Sequence, residues 1–465
     1  MVIMTLCLLV RVVSGLKYEF LEAVRGEIDK CTKCATCQAG CPTYESSISE
    51  TLVARGKIRL AKAVIDGETQ ITDRFVNDFN QCLSCMNCQT SCPSGVATMK
   101  IFSAAHAEIY DKKGAGFIAG AIFKYLLPHP GRLNILAKLT GVSALFYKYA
   151  PSWLAGFLPY SQGGVKRVTP DFLQRNLRSS VAEVNAPYAA PQGKPVRRVA
   201  FFSGCMTDLA FPQVGLKVID GLRRAGVEVL FPKAQACCGA PAYYNGDVNT
   251  TKELARKNIE TFNALNVDAI VYSCATCGSV IGETYRQLSP GDPEAEAFCA
   301  KAVDYQKLLV ELSVETIIGA GDGTGRKLKV TYHDPCHLKR GMGVSSEPRK
   351  LLKSLPHVEF VEMEGADRCC GGSGTFGLKF YDMSMDIGKF KADAIKNSGA
   401  DVVVTACPSC QLQLADALHR NGYDIPVLHT ADLVDVALST SRVGGNIKDH
   451  ADSTISKTSA SDANR

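Results

Sequence analysis

The run Asp268-Ala269-Ile270-Val271-Tyr272-Ser273-Cys274-Ala275-Thr276-Cys277 is a short apolar stretch that ends on a C-x-x-C pair. It returns as Asp401-Val402-Val403-Val404-Thr405-Ala406-Cys407-Pro408-Ser409-Cys410, displaced by 133 residues from Cys277 to Cys410. A brief apolar, β-branched run of this kind reads as a strand buried on both faces. Working outward, Val199 to Phe202 precedes Cys205 as Leu328 to Tyr332 precedes Cys336. Val227 to Phe231 and Val358 to Val361 form a second pair of strands, which lead to Cys237-Cys238-Gly239 and Cys369-Cys370-Gly371. Helical patterns lie between them, for example Val214 to Arg224 and Arg349 to Leu355. A repeat this long means duplicated domains rather than a solenoid. Strands alternating with helices predict a parallel α/β sheet in each half, with its site at the carboxyl ends of the strands.

Each half therefore brings five thiols to one place: Cys205, Cys237, Cys238, Cys274 and Cys277 in the first, and Cys336, Cys369, Cys370, Cys407 and Cys410 in the second. Five exceed the four that zinc or one cubane takes. Adjacent cysteines cannot easily serve one iron and suit two irons of an extended cluster, while Gly239 and Gly371 let the backbone pass close by. Three chemistries stay open at this point: iron-sulfur, a redox-active C-x-x-C disulfide, and structural zinc.

A second cysteine block lies upstream. Cys31, Cys34, Cys37 and Cys41-Pro42 follow C-x₂-C-x₂-C-x₃-C-P, and Cys82, Cys85, Cys88 and Cys92-Pro93 repeat it. This is the spacing of the bacterial two-cluster [4Fe-4S] proteins. Three thiolates on a tight loop reach three irons of one cubane, and the fourth, before proline, points to the other. The expectation is one cubane on Cys31, Cys34, Cys37 and Cys92 and a second on Cys82, Cys85, Cys88 and Cys41. Between the two motifs, Thr51 to Val64 has apolar Leu52, Val53, Ile58, Leu60, Ala61 and Val64 among Arg55, Lys57, Arg59 and Lys62, which predicts a helix.

The chain has 465 residues, 20 cysteines and a formal charge of +6, an excess too small to argue for nucleic acid. Cys7 and Cys299 read as ordinary thiols. From Lys112 to Pro170 there is no Asp or Glu, while Lys112, Lys113, Lys124, Arg132, Lys138, Lys148, Lys166 and Arg167 fall there beside Trp153 and several other aromatics. Prolines 128, 130, 151 and 159 are expected to chop it into short helices. It reads either as an insertion packed on the next domain or as a docking surface for an acidic partner or an anionic membrane face. The domains expected are residues 1–110, helical with two [4Fe-4S] clusters; 111–195, the basic aromatic insertion ending in the Ala186 to Pro195 linker; 196–320 and 326–440, the two repeats; and 441–465, a disordered tail. Met1 to Val10 is apolar but too short to span a bilayer and lacks a basic start, so a hydrophobic extension is expected rather than a signal, and no transmembrane helix.

The pattern of a lone cysteine, CCG and C-x₂-C, twice over, resembles the cysteine-rich (CCG) family of heterodisulfide reductase B and D subunits, the C subunit of anaerobic glycerol-3-phosphate dehydrogenase, and glycolate oxidase iron-sulfur subunits. Asp334-Pro335-Cys336-His337-Leu338 and Arg368-Cys369-Cys370-Gly371-Gly372-Ser373-Gly374 look like its second-repeat signatures, while Ser203-Gly204-Cys205-Met206 departs from that wording. The first 110 residues resemble the helical ferredoxin module of succinate dehydrogenase-type subunits. The motif order over nearly the whole chain is most similar to the glycolate oxidase subunits, down to the Leu127 to Arg132 stretch. The resemblance implies an α+β multidomain protein and one or two further, noncubane [4Fe-4S] clusters on the repeat cysteines.

Gly372 to Gly377 matches G-x-G-x-x-G but abuts a cysteine pair, and no acidic-ended strand follows, so it does not read as a dinucleotide site. Gly319 to Gly325 reads as a connector. His333 and His337 flank Cys336, where either serves a sulfur, a proton or an ordinary cap. With no flavin fingerprint, no catalytic residue is assigned, and hydride chemistry belongs on a separate FAD-containing 2-hydroxyacid (glycolate or D-lactate) dehydrogenase subunit. This chain is then expected to be the electron-transfer subunit of that oxidoreductase, feeding a quinone or membrane carrier from the cytoplasm or the cytoplasmic face of the inner membrane. The alternative is a heterodisulfide reductase-like subunit that reduces a disulfide at a noncubane cluster.

Overall fold

The computed structural model describes residues 17–149, 161–162, 165–181, 195–314, 318, 327–356 and 358–443. The expectations for Cys7, Met1 to Val10, Trp153, the linker before Pro195, the 319–325 connector and residues 444–465 lie outside these. Two units separate: Met1–Ala121 with Pro241–Val248, and Ile122–Ala240 with Asn249–Arg465.

The first unit is helical. Helices α1 (Ala54–Ile65), α2 (Asp73–Asn80) and α3 (Thr98–Lys113) bury Ile58, Ala61, Val64, Phe75, Phe79, Ile101, Phe102 and Ala105 in one core. Thr72 caps α2 by accepting from the Phe75 N–H at 3.2 Å. Phe79 stacks on Phe75 at 4.5 Å and meets Phe102 edge-on at 6.0 Å. Cys31, Cys37, Cys82, Cys88 and Cys92 line the edge of this core.

In the second unit the insertion is not chopped by its prolines. Helix α4 (Pro130–Tyr149) runs for 20 residues, because Pro130 occupies its first position, where a missing N–H costs nothing. Lys138 donates to the carbonyls of Leu173 and Gln174. Arg167 lies 3.9 Å from the Tyr381 ring and donates to the Gly377 carbonyl at 2.9 Å.

Two four-stranded parallel sheets follow. The first contains β1 (Arg197–Phe202), β2 (Val227–Leu230), β3 (Ala269–Tyr272) and β4 (Ala302–Asp304) in the order β2-β1-β3-β4. The second contains β5 (Leu328–Tyr332), β6 (Val358–Phe360), β7 (Val402–Thr405) and β8 (Val427–His429) in the order β6-β5-β7-β8. All six pairings are parallel, with Val199 beside Val229 and Ala269, and Val330 beside Phe360 and Val402. The shared order confirms the duplicated α/β fold. It adds a fourth strand to each half, β4 and β8, each of three residues and too brief to carry a periodic signal. In both sheets the order reverses between the first and third strands, the switch point where parallel sheets open a crevice.

The two halves share one core. Helix α5 (Pro212–Arg224) of the first half packs against α6 (Thr430–Val443) of the second. Val199, Val218, Leu222 and Val271 join Val330, Val402, Leu428 and Val434 in one cluster. Lys217 Nζ donates to Asp432 Oδ1 at 2.7 Å across this seam.

The glycine that ends each C-C-G is fixed by the chain behind it. Gly371 has φ +87°, and a Cβ there would lie 2.5 Å from the Ser384 carbonyl oxygen. Gly239 has φ +93°, with Thr251 Cγ2 3.1 Å from where its Cβ would be. Gly371→Ala is expected to cost about 1–3 kcal/mol in chemical denaturation. Gly399→Ala, at φ +67° with open space around it, should cost only about 1 kcal/mol. Equal losses would mean that the collision at Ser384 is relieved freely.

Candidate functional site

In the first unit, eight cysteines face two pockets. One, of about 360 Å³, is lined by Cys31, Cys34, Cys37 and Cys92, with Cys88 at its margin. The other, of about 410 Å³, is lined by Cys41, Cys82, Cys85 and Cys88. Each pocket thus draws three cysteines from one motif and the proline-flanked fourth from the other, the crossed arrangement expected from the spacing. The loops are shaped by residues the sequence does not flag. Lys33 and Ala35 have φ of 61° and 70°, and Ser84 and Met86 have 50° and 62°, matching positions of the two motifs. Non-glycine residues there are uncommon. Alternating left-handed residues turn successive N–H groups into a concave anion nest, as Ser84 N–H does toward Cys82 Sγ at 3.4 Å.

Burial pushes Cys82 up to about 11 and Cys88 further still, so metal must displace their protons. Lys57 does not join the polar face that its pattern suggests. It is buried with Nζ on the Leu52 carbonyl. Burial depresses its pKa, while Cys82, Cys41, Asp78 and Cys88 pull it back up. A buried cation beside thiolates offsets their charge.

In the second unit, the loops after β1, β2 and β3 bring the first five cysteines together. Cys237 Sγ lies 3.8 Å from Cys205 Sγ. Hydrogen bonds with Cys237 and Cys277 hold Cys238 down to about 6. Cys370, its counterpart in the second half, is lowered by Cys369 and Cys410 in the same way. Asn258 and Tyr285 position the first pair. Asn258 Nδ2 donates to the Cys237 carbonyl at 3.1 Å and Tyr285 Oη to the Cys238 carbonyl at 2.9 Å. In the second half Ser384 Oγ donates to the Gly371 carbonyl at 3.0 Å and receives a bond from Gln413 Nε2 at 3.0 Å.

The two groups of five also meet each other. Cys274 and Cys410 both hydrogen-bond Cys407 and hold it well below the usual thiol range. The Ala275 N–H donates to the Ala406 carbonyl at 3.3 Å, and Thr276 Oγ1 lies 3.3 Å from His337 Nδ1. His333 is buried with Cys370 and Cys410, its ligand atom and theirs within 4.8 Å of one another. Burial, and then Lys391, drive its pKa down to about 3, so the ring is neutral. Lys391 is itself buried, with Nζ on the carbonyls of Gly365 and Ala366 at 2.5 and 3.1 Å. Nothing in the spacing of either motif announces Lys57 or Lys391. Cys299 stands apart from both sites, in the helix Pro293–Ala300.

These residues fit iron-sulfur clusters. Thiolate-rich, largely buried sets with N–H groups and a buried cation at hand suit an anionic cluster. The comparisons agree. Residues 27–96 match the 4Fe-4S dicluster domain, and residues 199–282 and 330–415 match the cysteine-rich domain. A probable glycolate oxidase iron-sulfur subunit of Bacillus subtilis is 37% identical over 436 residues, 90% of this chain and 95% of that one. A fumarate reductase (CoM/CoB) subunit from Methanothermobacter marburgensis is 36% identical over 53% of this chain and 47% of its own. A lactate utilization protein A of Exiguobacterium is 35% identical over 51% of this chain and 96% of its own.

Crossed ligation makes a sharp forecast. Cys41→Ser should damage the centre in the Cys82, Cys85 and Cys88 pocket and spare the one beside Cys31, with iron falling by up to about four per chain and only one of two EPR signals altered. Loss of the signal from the Cys31 pocket instead would break the assignment. Because ligating thiols must shed protons, iron and sulfide loading of apo protein should release acid and weaken as pH falls, which a pH-stat titration checks.

Proposed function

Since the chain belongs to the family of glycolate oxidase iron-sulfur subunits, we propose that it is the electron-transfer subunit of a flavin-dependent 2-hydroxyacid dehydrogenase complex. Its oxidised substrate is glycolate or D-lactate, bound on a separate FAD-containing subunit, and a quinone or other membrane carrier receives the electrons. The observation that carries this reading is the meeting of all ten repeat cysteines through Cys274 and Cys407, together with the two four-cysteine pockets of the other unit. Iron-sulfur clusters held there supply one-electron redox chemistry. The chain's own part is to hold them in buried thiolate sets, with Lys57 and Lys391 offsetting the negative charge and Asn258, Tyr285 and Ser384 fixing the loops. Names of relatives that refer to glycolate oxidase and lactate utilization support the substrate class.

The docking face we assign to the flavoprotein lies on α4. Lys112 and Lys113 pair with acids outside the acid-free stretch, Glu108, Asp111 and Asp73. Lys138 and Arg167 are engaged as described above. Lys124 and Arg132 remain exposed, and so do Ile135, Leu139, Val142 and Leu145, which recur along one side of the helix. An apolar stripe with a basic edge suits a protein surface with an acidic rim. No helix among the described residues is long and apolar enough to cross a membrane. A place at the cytoplasmic membrane face, reached through partners, belongs to the same reading.

Anaerobically purified protein should carry roughly 16 Fe per chain, and about 8 Fe with zinc would refute clusters in the repeats. Alone it should not reduce dyes with glycolate, and the flavoprotein should restore turnover. Cys238→Ser or Cys370→Ser should stop electrons beyond a still-reducible flavin. Disulfide reduction by the chain alone from reduced viologen, unstimulated by any hydroxyacid, would favour the heterodisulfide reductase-like reading instead. Leu139→Asp with Arg132→Glu should weaken co-purification of the flavoprotein at unchanged iron content. Unchanged co-purification, or loss of binding to anionic vesicles in its place, would overturn that docking face.

A further inference from the structure

We propose that the second repeat's centre is not an all-thiolate site: the imidazole of His333 is a nitrogen ligand to one of its irons, alongside Cys370 and Cys410. This rests on the reading that the repeats hold iron-sulfur clusters and goes beyond it, since neither motif spacing nor repeat symmetry assigns a histidine.

Three observations carry it. First, a ring nitrogen of His333 and the sulfurs of Cys370 and Cys410 all lie within 4.8 Å of one another, within reach of one ion bonded at about 2.3 Å to sulfur and about 2.1 Å to nitrogen. Second, His333 is only 1% exposed, yet neither Nδ1 nor Nε2 has a hydrogen-bond partner. A buried polar ring without partners is rare and calls for a ligand. The residue is not loosely placed. Its N–H donates to the Val404 carbonyl at 2.9 Å and its carbonyl accepts from Thr405 Oγ1 at 3.3 Å. Both belong to β7, the strand that leads into Cys407 and Cys410. Third, the two halves differ here. His333 lies three residues before Cys336, and the residue three before Cys205 is Phe202. Phe202 is fully buried and packs its ring on Phe262 at 5.5 Å. One half fills this position with a hydrocarbon ring, the other with two nitrogens aimed among thiols.

The exchange has a functional consequence. A neutral imidazole in place of a thiolate lowers the negative charge on a cluster and raises its potential, as in centres where two histidines replace two cysteines. The second repeat then becomes the more oxidising of the two halves, and an electron entering the pair settles there.

The test uses the full chain, grown with ¹⁵N-histidine, purified anaerobically and reduced in steps while pulsed EPR is recorded. One centre should show a nitrogen coupling of the size of a direct iron–nitrogen bond. His333→Cys, which keeps a ligand but no nitrogen, should retain its iron, lose that coupling and lower one midpoint potential. His333→Phe, which copies the first half, should lose iron from that centre. Full iron, roughly 16 per chain, with no strongly coupled nitrogen in the unsubstituted protein would overturn the proposal alone, as would a coupling that survives in His333→Cys. Iron near about 8 per chain would overturn the cluster reading beneath it. The isotope experiment on the unsubstituted chain decides the matter even where a variant fails to fold.

Discussion

The docking of one C-x-x-C loop against the other is the constraint on which the larger unit depends. Cys274 and Cys407 reach each other only because the Ala275 N–H donates to the Ala406 carbonyl and because both loops leave the third strand of sheets with the same order. Other ties hold the same seam. His429 Nε2 lies 2.9 Å from the Ser273 carbonyl, and Thr430 Oγ1 donates to Gln306 Oε1 at 2.8 Å. Each is buried, so breaking one leaves a polar group without water. The duplicated halves are thus two faces of one site, and neither half surrounds its cysteines unaided.

Charge is the second organising term. Eighteen motif thiols lie in or beside apolar cores, where ionised groups are costly unless compensated. The compensation is local: Lys57 beside Cys41, Cys82 and Cys88, Lys391 beside Cys369 and Cys370, and backbone N–H groups around the Cys31 and Cys82 loops. The lysines are held by carbonyls, those of Leu52, Gly365 and Ala366. Their ammonium groups stay in place instead of reaching for solvent.

Much of this is legible in the sequence, for definite reasons. Cysteine spacing is a metrical constraint, so it discloses the pairing of Cys41 with the second motif and the five-and-five division of the repeats. Apolar runs disclose three strands per half because those strands are buried on both faces. The fourth strands are too short to show. Helix α4 escapes a sequence reading because a proline at a first helical position looks the same as one that breaks a helix. Lys57 escapes it because a lysine on an amphipathic helix is normally solvated, and only the fold shows thiols in front of it. The left-handed turns at Lys33, Ala35, Ser84 and Met86 carry no glycine to betray them.

The shared core also orders events during synthesis. Helix α5 of the first half completes its packing against α6, which ends at Val443 and is among the last described residues to leave the ribosome. Until then Val218 and Leu222 lack their partners, and Cys274 has no Cys407 to meet. The nascent first half therefore waits with apolar surface exposed, a state that invites chaperone capture. Metal delivery to the joined thiolates becomes a step that follows translation rather than one that accompanies it.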